Sequence, residues 1–320
     1  MLYSLLSNHM SDTVITIIGA AFACVITFIL YIRPAGFLPK DHGKVVTDPN
    51  GNVIPINTKS KGKITGAGFI FVLVFLITSL LFLPITLERV LYIILCLAMM
   101  ITGFLDDSAK APWGELIKGL LDLGLAAAGS IIFVIFNGTK VQFFGNEFTI
   151  FPVIYVILGI ALIWGSINVT NCSDGVDGLC GGVSVVELLA FFLLFEGYGN
   201  MGIILAAVLI AYLCYNWFPS KLLMGDAGSR TIGFFLALLC MKSGHPFVFI
   251  LLSLVFLVDG GLGLLKLALM RTIHLNLFGK IRFPLHDEFR KNRGWKVPKI
   301  SLFFIICEVI MAVITWLLVR

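Results

Sequence analysis

Long apolar runs alternate with short polar stretches along the 320-residue chain. Runs of about 20 apolar residues have the length of membrane-crossing helices. Ten spans are predicted, at 13–32, 65–83, 89–105, 116–136, 150–167, 182–197, 201–217, 231–242, 246–270 and 301–319. The stretch at 231–242 is short for a crossing. The first span is too long for a signal-peptide core, lacks a basic start and has no small-residue cleavage site after it. It reads as a retained helix.

Composition agrees with this pattern: 59% of residues are hydrophobic and 13% are charged. A soluble protein of this size could not cover so much apolar surface. The expectation is an all-α integral membrane protein, a single polytopic domain over 1–320. Lysine and arginine set its orientation. Loops after odd-numbered spans hold eighteen of them against four on the other side, which predicts odd loops in the cytoplasm and both termini outside. The net charge of +5 is mostly this bias, and it predicts no nucleic-acid binding. The seven cysteines form no CxxC pair, so neither a disulfide frame nor a zinc site is indicated.

Polar chemistry concentrates where the apolar runs break. The stretch 168–182, NVTNCSDGVDGLCGG, puts Asn168, Asn171, Asp174 and Asp177 within ten residues, with glycines at 175, 178, 181 and 182. Ionisable groups at the mouth of membrane helices mark a functional site by default, and glycines let backbone approach a ligand closely. A polar turn would explain one such loop. Two more lie on the same predicted face. The third span ends in Gly103-Phe104-Leu105-Asp106-Asp107, with Lys110 and Lys118 beyond, and span eight is preceded by Met224-Gly225-Asp226-Ala227-Gly228-Ser229-Arg230. Paired carboxylates at the negative end of a helix need a cation, either those lysines or a divalent metal. Hard oxygen ligands suit Mg²⁺, which bridges to substrate phosphates. Lys59, Lys61 and Lys63 lead into Thr65-Gly66-Ala67-Gly68, an arrangement suited to phosphate. Convergence of Asp106, Asp107, Asp174, Asp177 and Asp226 would make a site for metal-assisted phosphoryl transfer.

Three further features carry expectations. Asp259 and Lys266 are seven residues apart, on one face of span nine. They predict an intramembrane ion pair or an Asp259 turned to a polar cavity, and Gly260, Gly261 and Gly263 predict a bend there. The loop PLHDEFRKNRGW, with His286, is basic and aromatic and long enough to cover a cytoplasmic pocket. Finally, DPNGN predicts a tight turn between two short strands, and 137–149 a short external hairpin.

With these residues in hand, the chain resembles the polyprenyl-phosphate N-acetylhexosamine-1-phosphate transferases. GFLDDSAK, NVTNCSDGVDG and MGDAGS look like that superfamily's three cytoplasmic signatures in order, and PLHDEFRKNRGW looks like its peptidoglycan branch, the phospho-N-acetylmuramoyl-pentapeptide transferases. The resemblance covers essentially the whole chain. It implies transfer of a phospho-sugar from UDP-N-acetylmuramoyl-pentapeptide to undecaprenyl phosphate within the bacterial plasma membrane, with Mg²⁺, giving lipid I and UMP. Asp106 and Asp107 match the paired aspartates that bind or deprotonate the lipid phosphate. Asp226 matches the Mg²⁺-associated aspartate, and Asn171 lies where the central motif approaches the metal. Asp174 and Asp177 match positions linked to catalysis and uridine recognition, with Gly175 beside them and Asn168 opening the motif. Lys110 and Lys118 match lysines near the phosphates, Thr65 a threonine of the glycine-rich second-span motif, and His286 the sugar-diphosphate end. Homodimers occur in the family, and the span pattern neither requires nor excludes one.

The chain departs from the branch in two places. Only His286 stands where three successive histidines are usual, followed by Asp287 and Glu288, and TPTMGG is replaced by Lys63-Ile64-Thr65-Gly66-Ala67-Gly68. Transfer of N-acetylglucosamine-1-phosphate therefore stays open as an alternative. A transporter using Asp259 and Lys266 is a second alternative, from a different class.

Overall fold

A computed structural model of the chain describes residues 2–41, 44–47, 53–57, 61–109, 113–143, 146–195, 199–275, 278–279 and 281–319. After a short helical turn at Leu2–Leu6 come α1 (Asp12–Ile32), α2 (Gly68–Phe82), α3 (Leu87–Ser108), α4 (Glu115–Asn137) and α5 (Pro152–Ser173). They are followed by α6 (Leu179–Leu194), α7 (Asn200–Asn216) and α8 (Gly225–Lys242). The ninth helix, α9, is segmented into Val248–Leu252, Leu254–Phe256, a π-helical turn Leu257–Gly261, and Leu262–Thr272. The last, α10, is Val297–Val319. Among the described residues, α1, α3, α4, α5 and α10 are long and apolar enough to cross a membrane, and α2, α6 and α7 are shorter apolar helices. Side chains such as Ile17, Val25, Ile135 and Leu317 are exposed on the outer helices, where lipid rather than water suits them. This is a mostly helical, multi-pass integral membrane protein.

The helix α8 is the centre of the packing. Every residue from Ala227 to Met241 is buried, and the helix meets α2, α3, α4, α5 and α6. That explains the short span at 231–242. A helix enclosed by others needs no long lipid-facing stretch, so its first turns could be polar, and they begin at Gly225. Close approach of α2 and α3 depends on glycine: a Cβ on Gly68 would run into the backbone of Gly228, and one on Gly103 would lie 2.5 Å from the Ala227 nitrogen.

The stretch 168–182 proves to be mostly helix and not a loop. Helix α5 continues to Ser173 and α6 starts at Leu179, so Asn168 and Asn171 stand on α5 and only 174–178 turn. The irregularity in α9 begins earlier than its glycines, at Ser253, and continues through the π-turn. Two antiparallel hairpins complete the fold, β1 (Lys44–Thr47) with β2 (Val53–Asn57) and β3 (Lys140–Phe143) with β4 (Asn146–Thr149). The expected tight turn between the first pair lies outside the described residues. Gly138, with φ +73°, ends α4 ahead of the second pair.

Candidate active site

Helix polarity brings the acidic residues to one end of the bundle: the C-termini of α3 and α5 meet the N-termini of α4 and α8. Asp107 accepts the backbone N–H groups of Asp226 at 3.1 Å and Ala227 at 3.2 Å. A carboxylate on the first N–H groups of α8 satisfies donors that the helix itself cannot, and it opposes the positive end of the dipole. Gly225, at φ +67°, is required here, because a Cβ would fall within the Asp107 carboxylate. Asp106 is buried; its Oδ1 accepts the Trp113 N–H at 2.6 Å and its Oδ2 pairs with the Lys118 ammonium. The same ammonium lies 3.2 Å from Asp226 Oδ2, and the Asn171 amide donates to Asp226 Oδ1 at 3.0 Å and to Ser229 Oγ at 3.3 Å. Burial pushes the Asp226 carboxyl up, but Lys118, Asn171 and Arg230 outweigh it and hold the group below the usual carboxylate range.

Behind Asp226 lies a pair that the motif reading passed over. Arg230 Nε donates to Asp122 Oδ1 at 3.1 Å, its Nη2 meets the same oxygen, and both residues are buried. A signal was present: Asp122 interrupts the apolar fourth span four residues after Lys118, on the same helical face.

A second group gathers around the turn 174–178. His286 is buried, its backbone N–H donating to Asp259 Oδ1 at 2.7 Å and its Nδ1 lying 2.8 Å from Asp259 Oδ2. Its Nε2 points at Gly175, where any Cβ would clash with the ring. The expected Asp259–Lys266 pair does not form; Lys266 donates to the carbonyls of Gly279 at 3.2 Å and Ile281 at 2.9 Å. The π-turn has turned Asp259 toward the His286 loop, while Lys266 continues on the next helical segment. Asp174 caps α5, its N–H bonded to the Asn171 carbonyl at 3.1 Å. Asp177 accepts the Ser220 N–H at 3.1 Å and lies 3.7 Å from Lys63, which also donates to Ser220 Oγ at 2.8 Å. Asp287 bonds to Arg290 and Lys291, each at 2.5 Å, and Glu288 accepts from the Arg282 N–H at 3.0 Å and from Asn292 at 2.6 Å. Although burial pushes the Asp287 carboxyl up, Lys291 and Arg290 hold it below the usual range.

Not every expected residue joins these groups. Asn168 folds its amide back onto the Trp164 carbonyl at 2.7 Å, within its own helix. Thr65 enters through its backbone, donating to the Pro39 carbonyl at 2.9 Å in the segment whose Gly68 bonds to Met224. Lys110 lies outside the described residues.

The donor set suits a hard divalent cation. The Lys118 ammonium bridges Asp106 and Asp226, so a positive charge is already held between these two carboxylates. Asp106 and Asp226 against Lys118 leave one negative charge, Asp122 and Arg230 cancel, and burial and the neighbouring Asp226 push the Asp107 carboxyl up to about 7. Among the described residues no three acidic, histidine or cysteine side chains close into a complete ligand set. Mg²⁺ commonly takes one or two carboxylates and completes its shell with water and substrate phosphate, so the residues present fit it. Asp226 and the side-chain amide oxygen of Asn171 would hold it.

Glycosyl transferase family 4 matches residues 89–244, the segment from α3 to the end of α8. This match and the relatives that follow support a membrane-embedded phosphosugar transferase. Phospho-N-acetylmuramoyl-pentapeptide-transferase of Treponema pallidum (strain Nichols) is 36% identical over 303 residues, covering 87% of this chain and 82% of that protein. The protein of the same name from Caldanaerobacter subterraneus is 30% identical, covering 77% and 81%, and that from Campylobacter hominis is 25% identical, covering 98% and 97%. This chain belongs to the phospho-N-acetylmuramoyl-pentapeptide-transferase family.

Proposed function

We propose that the chain transfers phospho-N-acetylmuramoyl-pentapeptide from its UDP carrier to undecaprenyl phosphate, giving lipid I and UMP in peptidoglycan synthesis. The observation that carries this reading is the Lys118 ammonium bridging Asp106 and Asp226 beside Asn171. An oxygen of the lipid phosphate attacks the β-phosphorus, a new P–O bond forms, and the bond from that phosphorus to the bridging oxygen breaks as UMP departs. Mg²⁺, when bound, neutralises the diphosphate and supports the leaving group. The protein's part is placement and charge. Lys118 meets phosphate oxygens, and Asp106 orients it. A phosphate monoester is already largely ionised at neutral pH, so Asp106 acts chiefly in positioning. Asp107 fixes the start of α8 and hence Asp226. Asp174, Asp177 and Gly175 form the uridine side, and His286, braced by Asp259, the sugar-diphosphate side. Asn168 and Thr65 stand at the margin of the substrate site, and the family resemblance assigns Lys110 to the substrate phosphates.

The polyprenyl tail enters through a cavity of about 310 Å³ beside α9, lined by Gly260, Gly263, Leu264, Phe283 and Pro284. A photoreactive polyprenyl phosphate should cross-link there. The chain crosses the bacterial plasma membrane ten times with both termini outside, and the site faces the cytoplasm. The apolar outer faces meet lipid, and a second copy where the chain dimerises.

Asp287 and Glu288, the residues that keep an N-acetylglucosamine substrate in view, are held by neighbouring Arg, Lys and Asn groups, leaving His286 to act. The deciding experiment incubates purified protein, undecaprenyl phosphate and Mg²⁺ with each UDP-sugar and measures UMP. Release with the muramoyl-pentapeptide substrate alone is expected. Release with UDP-N-acetylglucosamine alone would move the chain to the sister reaction.

A further inference from the structure

The end of the bundle opposite the carboxylates holds a second polar pocket. Arg89 and Asp106 both lie on α3, and at about 1.5 Å per residue roughly 26 Å of helix separates them. The pocket encloses about 230 Å³, with Arg89, Tyr92 and Lys242 on its polar side and Met201, Phe235 and Leu238 on its apolar side. Thr86, Asn200 and the Glu88 carboxylate also line it, so the positive ends of α3 and α7 both open there beside one Glu88–Lys242 pair.

The polar groups are unequally engaged. Lys242 is held by both oxygens of Glu88, at 2.8 and 2.9 Å, and by Asn137 at 2.7 Å. Arg89, among the described residues, donates its side chain only to the Pro84 carbonyl. The pocket-lining Glu88, already paired with Lys242, is the strongest charge acting on Arg89; Asp12, itself bonded to the Tyr3 hydroxyl at 2.9 Å, also acts on it but does not line the pocket. The Tyr92 side chain is 6% exposed, and its hydroxyl, though close to Glu88, meets no partner at hydrogen-bonding geometry. A buried hydroxyl left unmet is costly, and a guanidinium with unused donors beside it matches the oxygens of a phosphate.

We propose that this pocket binds the phosphate of a membrane lipid on the face opposite the transferase site. Arg89 and Tyr92 donate to the phosphate oxygens, the two helix N-terminal ends add positive potential while Lys242 stays neutralised by Glu88, and the first carbons of the lipid chains lie over Met201, Phe235 and Leu238. The site is separate from the reaction described above. UMP release by variants here should therefore persist, and failure of either reading leaves the other standing.

Native mass spectrometry of the detergent-purified chain tests this, using phosphatidylglycerol, diacylglycerol with the same chains, and inorganic phosphate as competitor. One phosphatidylglycerol should be retained per chain, and diacylglycerol should not. Arg89→Gln should lower retention about tenfold or more, the loss of a charge-assisted hydrogen bond. Tyr92→Phe removes only the unmet hydroxyl, and it should weaken retention without lowering the thermal midpoint. Displacement by inorganic phosphate would show that the phosphate alone is recognised, and resistance to it that the lipid chains contribute. Equal retention of diacylglycerol, or undiminished retention by both variants, would overturn the proposal.

Discussion

Asp107 and Asp226 stand 119 positions apart, yet the carboxylate of the first receives the backbone N–H of the second at 3.1 Å. The end of α3 thereby sets the start of α8 and the direction in which Asp226 points. Asp107→Ala should cost about 1 kcal/mol of stability, the usual worth of an N-terminal cap, and should weaken Mg²⁺ dependence through the displaced Asp226. Thermal unfolding and an Mg²⁺ titration of UMP release measure the two effects. An unchanged Mg²⁺ titration would separate Asp107 from the metal site.

Gly225→Ala tests the same joint from the other side. The substitution meets φ +67° and the Asp107 carboxylate together. A non-glycine residue in that region costs of order 1–3 kcal/mol, so the loss should exceed that of Asp107→Ala. Comparison of the two thermal midpoints decides it.

Asp226→Ala should abolish Mg²⁺-dependent turnover while leaving the chain folded, because the outer turns of α8 are still packed by α2 and α3. UMP release measured across Mg²⁺ concentrations is the readout. An active variant would remove Asp226 from the mechanism.

The Asp226 contribution to the pH response has a definite sign, opposite to that of Asp107, whose carboxyl is pushed up to about 7 by burial and Asp226. Asp226 is depressed in the folded chain, so its contribution to stability is present above the unfolded value of about 3.9 and is lost as pH falls through the lower folded value. Lys118→Met removes the largest charge opposing burial, and the carboxyl should rise. The acid limb of UMP release should then move to higher pH. An acid limb at its wild-type position would remove Lys118 from this role.

Asp259→Asn leaves the shape of the buried pair and changes its chemistry. The carboxylate receives the His286 backbone N–H and meets Nδ1, which holds Nε2 toward Gly175. An amide there can present a donor to Nδ1 and change the tautomer. Turnover should fall by roughly 10²-fold, the lower range for a positioned imidazole, with the loss mainly in kcat. A loss confined to KM would assign His286 to binding alone.

The class of the protein was readable from the residue pattern. A backbone in lipid must satisfy its hydrogen bonds within the segment, so apolar runs of sufficient length had to become helices, and the three acidic turns had to fall at helix ends. The motifs around Asp106, Asp174 and Asp226 also pointed to the chemistry, since hard carboxylates beside glycine and lysine suit few ligands other than metal and phosphate. The pairing of those groups was not readable. Helical periodicity tells which residues share a face, but not which other helix that face will meet. Asp259 and Lys266 share a helix face in sequence, yet the π-turn gives Asp259 to His286 and leaves Lys266 on backbone carbonyls. The bond from Asp107 to the start of α8 and the pairing of Asp122 with Arg230 both appear only once the helices are packed. Local pattern determined that this chain would be helices in lipid with acids at one end; only the packing around α8 decided which acid holds a helix, which holds a histidine and which share Lys118.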